Sequence, residues 1–253
     1  MKLTEKTIAI TGGARGIGRA IALALGRQGA DLALIDLDPE ALATAVAECA
    51  ALGVRARAYT ANVADEASVE AVMARIAEDF GRFDGLINNA GITRDGMLLK
   101  VRDGQVVDRL SLSAWQAVLD VNLTGVFLCT RAGAEQMIRA GQGGVIVNLS
   151  SVSRAGNLGQ SNYSAAKAGV VALTTVWARE LARHGIRVGA IAPGFTATDI
   201  LHTIPAETMD KLLSAVPLRR TGQPEEIAQA AQFIFENDYF TGRCIEVDGG
   251  IRL

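Results

Sequence analysis

Aromatic residues are scarce in this chain, at 5% of 253 residues. Bulky ring packing is therefore a minor part of its interior. The abundant alanine and glycine suit close packing of helices on a sheet instead. Cysteine is nearly absent: Cys49, Cys129 and Cys244 are far apart, odd in number and in no metal-ligand spacing. That pattern excludes a disulfide framework and a cysteine metal site, and reads as buried reduced thiols. No charge of one sign dominates, since the formal net charge is −2. Neither a nucleic-acid footprint nor electrostatic attachment to a membrane is expected from such a balance. No apolar run reads as the ~18 residues of a membrane span. Met1-Lys-Leu-Thr-Glu-Lys-Thr7 lacks the apolar core of a secretion signal. The expectation is a cytoplasmic protein.

What the chain does have is alternation. Strand-like runs are expected at 7–11, 31–36, 54–60, 83–88, 144–150, 186–191 and 244–247. Helical patterns fall at 16–28, 39–51, 66–80, 113–140, 161–183 and 224–235, with Asp38 and Ser113 as caps. Leu32-Ala-Leu-Ile35 and Val145-Ile-Val147 are continuously apolar, as in strands covered on both faces. The pattern predicts α/β architecture: a parallel sheet between two helical layers, in one domain spanning 1–253. Two segments depart from it. Asp103-Gly104 between short arms predicts a β-hairpin over 100–108. Residues 194–220 form a long connection containing Pro205 and Pro217, of the kind that often serves as a lid.

Thr11-Gly-Gly-Ala-Arg-Gly-Ile-Gly18 lies between the first strand and the first helix. Gly12, Gly16 and Gly18 permit a tight turn and a close approach of backbone to a pyrophosphate at the helix N-terminus. In its strand–turn–helix context the motif points to a dinucleotide. Asp36 closes the second strand and is placed to accept hydrogen bonds from ribose hydroxyls while repelling a 2′-phosphate. NAD is therefore favoured over NADP, although Asp38 competes for the role and Arg15 is able to meet a 2′-phosphate. Tyr163 and Lys167 are separated by four residues on one helix face. A cation there lowers the pKa of the phenol and makes it a proton donor or acceptor for a carbonyl–alcohol pair.

Together these motifs resemble the short-chain dehydrogenase/reductase family over essentially the whole chain. The resemblance implies a doubly wound Rossmann-type domain with a mostly parallel seven-stranded sheet in the order 3-2-1-4-5-6-7. It also implies a homotetramer built through the helices at 113–140 and 161–183. In the glycine turn it implies cofactor contacts from Gly12, Arg15, Gly16, Ile17 and Gly18. Asn62 and Val63 match the adenine position, and Asn89, Ala90 and Gly91 match the motif beside the adenosine ribose. Pro193, Gly194, Thr196 and Thr198 match the turn that cups the nicotinamide. Tyr163 is implied as the proton donor, Lys167 as its activator and ribose ligand, and Asn122 as the holder of a relay water.

For the catalytic serine, two criteria disagree. The end of the fifth strand selects Ser151, whereas the family's spacing of 13 residues before the tyrosine selects Ser150. One step along a strand reverses the face of a side chain, so the strand end carries more weight. Thr93-Arg-Asp95, Ala155 to Gln160 and Val247-Asp-Gly-Gly250 resemble the 3-oxoacyl-carrier-protein reductase branch, whose members usually prefer NADPH. The expected substrate is a 3-oxoacyl thioester or similar β-ketone, with Gln160 as a candidate pocket residue. The alternatives are a dehydrogenase of secondary alcohols, diols or sugars and, remotely, a dinucleotide-binding scaffold without catalysis.

Overall fold

The computed structural model describes residues 1–198, 209 and 213–252. The expected lid at 194–220 lies partly outside them. Strands β1 (Thr7–Thr11), β2 (Asp31–Asp36), β3 (Ala56–Thr60) and β4 (Gly85–Asn88) form the first half of the sheet. Among the described residues, strands β5 (Leu99–Arg102) and β6 (Gln105–Arg109) pair only with each other. Strands β7 (Gly144–Leu149), β8 (Ile186–Pro193) and β9 (Cys244–Val247) complete the main sheet. Its order is β3-β2-β1-β4-β7-β8-β9. With the hairpin set aside this is the expected 3-2-1-4-5-6-7, and every pairing in it is parallel.

Strand alternation builds two cores at once. Ile8, Ile10, Leu32, Leu34, Val145 and Val147 face one layer, together with Ile21, Leu25, Ile227 and Phe235. Ala9, Ala33, Ile35, Leu86, Ile146 and Val188 face the other, together with Met73, Ile76, Val170 and Trp177. Each fully buried Leu or Ile contributes roughly 1.5–3 kcal/mol.

On the first layer lie α1 (Gly16–Arg27), α2 (Pro39–Ala50) and α7 (Pro224–Glu236). On the second lie α3 (Glu66–Phe80), α5 (Gly125–Ala140) and α6 (Ser161–Leu181), with α4 (Leu112–Leu119) leading into α5. Caps mark where the helices begin. Asp38 accepts from Glu40 and Ala41 N–H ahead of Pro39, and Asp65 accepts from Ser68 N–H at 2.7 Å.

Several boundaries differ from the sequence reading, most by one or two residues. β3 begins at Ala56 and β4 at Gly85, because their first expected residues lie outside the ladders. Ser111, not Ser113, caps α4 by accepting from Ala114 N–H. The expected helix 113–140 is interrupted by a π-helical turn over Asp120–Thr124, the segment that carries Asn122. By length and composition, the run Leu112–Ala140 is apolar enough to cross a membrane, contrary to the reading that no stretch is. A third of its most apolar window is buried, and its α5 part packs against α3 and the sheet.

Candidate active site

The glycine turn is held to the end of β4 by Asn89. Its Nδ2 donates to Thr11 O at 3.1 Å and Gly12 O at 2.9 Å. Asn89 and Ala90 N–H groups both donate to Thr11 Oγ1. A Cβ at Gly18 would stand 2.1 Å from Gly12 O, so only glycine closes the turn there. Gly12 has φ +62°, a left-handed conformation that glycine adopts without cost. Helix α1 begins with no side-chain cap and no acidic residue in its first turn. Its free N–H groups and positive dipole end suit a pyrophosphate, which tests well against the expected dinucleotide. A cavity of 540 Å³ opens beside this turn, lined by Arg15, Gly16, Arg19, Thr44 and Thr198. Ile17 packs its side chain against the core below.

Asp36 lies against the turn, accepting from Ala14 N–H at 3.2 Å and Leu37 N–H at 2.8 Å. Arg15 pairs with Asp38 at the exposed edge of the turn. Asn62 follows β3 and folds its Oδ1 onto Ala64 N–H, and the neighbouring Val63 is buried under Gly125. On the opposite side, Pro193 ends β8 and Gly194 N–H donates to Val247 O at 2.9 Å. Thr196 is buried, with its hydroxyl on Gly194 O, while the methyl of Thr198 lies over Gly16.

The two serines after β7 have separate fates. Ser150 is buried and its hydroxyl donates to Lys167 O at 2.8 Å. Ser151 stands beside the Tyr163 phenol, where it favours the ionised form, and its Oγ accepts from Ser153 N–H at 3.1 Å. That acceptance leaves the Ser151 proton for the tyrosine. Arg154 donates to Ser151 O at 3.2 Å and pairs with Glu246 on β9, tying the serine turn to the strand beside Pro193–Gly194. Tyr163 and Lys167 lie on α6, with the ammonium 5.6 Å from the ring centroid.

One electrostatic expectation is corrected here. Lys167 was expected to lower the Tyr163 pKa, but the phenol is raised, chiefly by burial, with Ser151 opposing and Asp95 adding to the rise. The Lys167 ammonium is turned to Leu149 O at 2.6 Å, and its own pKa is pushed down to about 8 by burial. Desolvation disfavours the charged form of both groups.

Asn122 is fully buried, and both ends of its amide bond the backbone of Ile92 at 2.8 Å. It braces the segment after Gly91; a Cβ on Gly91 would touch its Oδ1 at 3.3 Å. Sequence reasoning missed Asn162 and gave Ser153 no part. Asn162, wholly buried at the start of α6, donates to Arg94 O and Ala114 O. Its position next to the tyrosine, at a helix start, was the available signal. Gln160, expected as a pocket residue, bridges Ser153 and Asp95.

Comparison with known proteins agrees with this geometry. A family profile described as enoyl-(acyl carrier protein) reductase matches residues 12–252. The chain is 41% identical to the 3-oxoacyl-[acyl-carrier-protein] reductase of Thermotoga maritima, over 99% of both chains. It is 44% identical to the 3-oxoacyl-[acyl-carrier-protein] reductase of Synechocystis sp., over 98% of both. A solved structure of NAD⁺-bound xylitol dehydrogenase superposes with a TM-score of 0.89 at 31% identity, over 99% of this chain and 100% of that one.

Proposed function

The chain belongs to the short-chain dehydrogenase/reductase family, an oxidoreductase family acting on CH–OH groups with a nicotinamide dinucleotide, and on that premise we propose that it is an NAD(H)-dependent reductase of 3-oxoacyl thioesters or similar β-ketones. The observation that carries the reading is the grouping of Ser151, Tyr163 and the buried Lys167, whose ammonium lies 5.6 Å from the tyrosine ring centroid. The dinucleotide, when bound, supplies or accepts the hydride. Tyr163 donates the proton to the carbonyl oxygen, and its raised pKa keeps that proton in place at neutral pH. Ser151 donates to the same oxygen as negative charge develops. Lys167 supplies a buried positive charge one helical turn from the phenol, and Asn122 keeps the Ile92 segment at the edge of the site.

The residues set to hold the dinucleotide are the glycine turn, Asp36, Asn62–Val63, Asn89–Gly91 and Pro193–Thr198. Asp36 holds a carboxylate against the glycine turn, where it would accept from ribose hydroxyls and repel a 2′-phosphate, and Arg15 is engaged by Asp38. This favours NAD over NADP. The NAD⁺ bound by the xylitol dehydrogenase favours, as a second reading, an alcohol or sugar dehydrogenase.

A cytoplasmic homotetramer completes the proposal. Phe127 and Ile138 on α5 and Val176 on α6 are exposed apolar side chains on the helices expected to meet their mates. The test is NADH and NADPH oxidation with acetoacetyl-CoA, side by side. A faster NADH rate is expected. A preference for NADPH refutes the Asp36 reading, and turnover of sugars or diols alone favours the second reading.

A further inference from the structure

Residues 92–96 pass over the start of α6, held by side-chain amides from three directions. Asn122 bonds both backbone groups of Ile92, and Asn162 Nδ2 donates to Arg94 O at 3.0 Å. Gly96 N–H donates to Gly159 O at 2.8 Å. Gln160 then decides where Asp95 points. Its Oε1 accepts from Ser153 Oγ at 2.9 Å and Asn157 Nδ2 at 3.0 Å, which fixes the orientation of the amide. Its Nε2 is therefore committed to Asp95 Oδ2, at 2.9 Å. A run of hydrogen bonds thus leads from Asp95 through Gln160 and Ser153 to Ser151, beside Tyr163.

Among the described residues no cation offsets Asp95. Arg94 turns its guanidinium to Thr93 O, Arg154 is paired with Glu246, and Lys167 is turned to Leu149 O. The carboxylate is exposed, and its field reaches the phenol, opposing phenolate formation.

We infer that Asp95, fixed by Gln160 at the mouth of the site, is a specificity determinant that admits neutral esters and thioesters of 3-oxo acids and turns away the free 3-oxo acids. The inference rests on the ketone-reductase reading above. A substrate bearing a carboxylate next to the reacting ketone brings a second negative charge toward Asp95 and Tyr163. An ester or thioester brings none.

The experiment compares kcat/KM for acetoacetate and ethyl acetoacetate in the wild type, Asp95→Asn and Asp95→Glu. In Asp95→Asn the acetoacetate-to-ester ratio is expected to rise about tenfold, the scale of two unit charges interacting at a partly hydrated site. Asp95→Glu is expected to keep the wild-type discrimination, which a merely structural role would not predict. An unchanged ratio in Asp95→Asn overturns the inference. If the wild type reduces neither compound, the reductase reading has failed separately. Calorimetric binding of the same pair to the dinucleotide-loaded protein then decides: a relative gain for acetoacetate in Asp95→Asn supports the role of Asp95, and equal changes overturn it.

Discussion

Residues 89–96 and 99–109 are close neighbours in the chain, and they are held in opposite ways. The first segment is stapled to the molecule by Asn122, Asn162, Gln160 and Gly159, each from a distant part of the sequence, and its own Asn89 reaches to Gly12. The second is a two-stranded ribbon whose ladder is its own, with every strand residue exposed. Asp103 and Gly104 both have positive φ, as a two-residue hairpin turn with the right twist requires. The difference teaches where rigidity is placed. Backbone that must hold Tyr163, Ser151 and Asp95 in register receives buried amides. Backbone that only projects receives a good turn and little else.

The largest expected effect tests whether the stapled side is catalytic at all. Replacing Tyr163 by Phe removes the proton donor and leaves the fold's contacts in place. The rate of ketone reduction is expected to fall by about 10³-fold, within the range for general acid–base catalysis, with little change in melting temperature. A loss under tenfold would mean the phenol is not the donor.

Next in size is the buried charge. Lys167 has its pKa lowered to about 8, so between there and the ordinary lysine value the folded chain binds fewer protons than the unfolded one. Stability contributed at this position therefore rises as pH increases through that window, and the ammonium costs stability below it. Relative to Lys167→Met, the wild type is expected to gain up to about 3 kcal/mol from pH 8 to pH 10.5, read from denaturant midpoints. A parallel pH dependence in the two proteins contradicts the buried charge. The reduction rate is expected to decline as the same ammonium is lost above pH 8.

Asn162 compares the two segments more directly. Its replacement by Ala strands the carbonyls of Arg94 and Ala114 and the N–H of Tyr163. Leaving such groups unpaired costs about 1–3 kcal/mol. A lower denaturation midpoint is expected together with a reduced kcat, because the lost bonds connect Tyr163 to the segment carrying Asp95. A stability loss with an unchanged kcat would separate the staple from the site.

The same contrast explains what was legible in the sequence. The glycine turn, Asp36 at the end of β2, the Asp38 cap and the Asp103-Gly104 turn are local signals, and each appears where its residues stand. The strand alternation was legible because both sheet faces are buried. The staples were not: Asn162 meets Arg94 across 68 positions, and Gln160 meets Asp95 across 65. An amide side chain announces no partner until the sheet brings β4, β7 and α6 side by side. The direction in which Arg15 and Lys167 point was hidden for a related reason. Their charge was plain, but Asp38 and Leu149 O determine where it points. The π-helical turn at Asn122 breaks a helical period that continues on both sides, so periodicity alone passed over it.

The smallest expected effect lies in the ribbon. Leu99, Val101 and Val106 are all at least half exposed, and register places Val101 opposite Val106. Cross-strand apolar pairs contribute roughly 0.2–1 kcal/mol, and this exposed pair lies outside the cores of the described residues. Replacing Val101 and Val106 together by Ser is expected to leave the denaturation midpoint within about 0.5 kcal/mol of wild type, as for exposed surface positions. Local hydrogen exchange over 99–109 is expected to quicken while exchange over 89–96 stays as it was, because no staple connects to those two valines. If exchange quickened in both segments, the ribbon would prove to be a brace for the active site, and the division drawn between the two segments would fail.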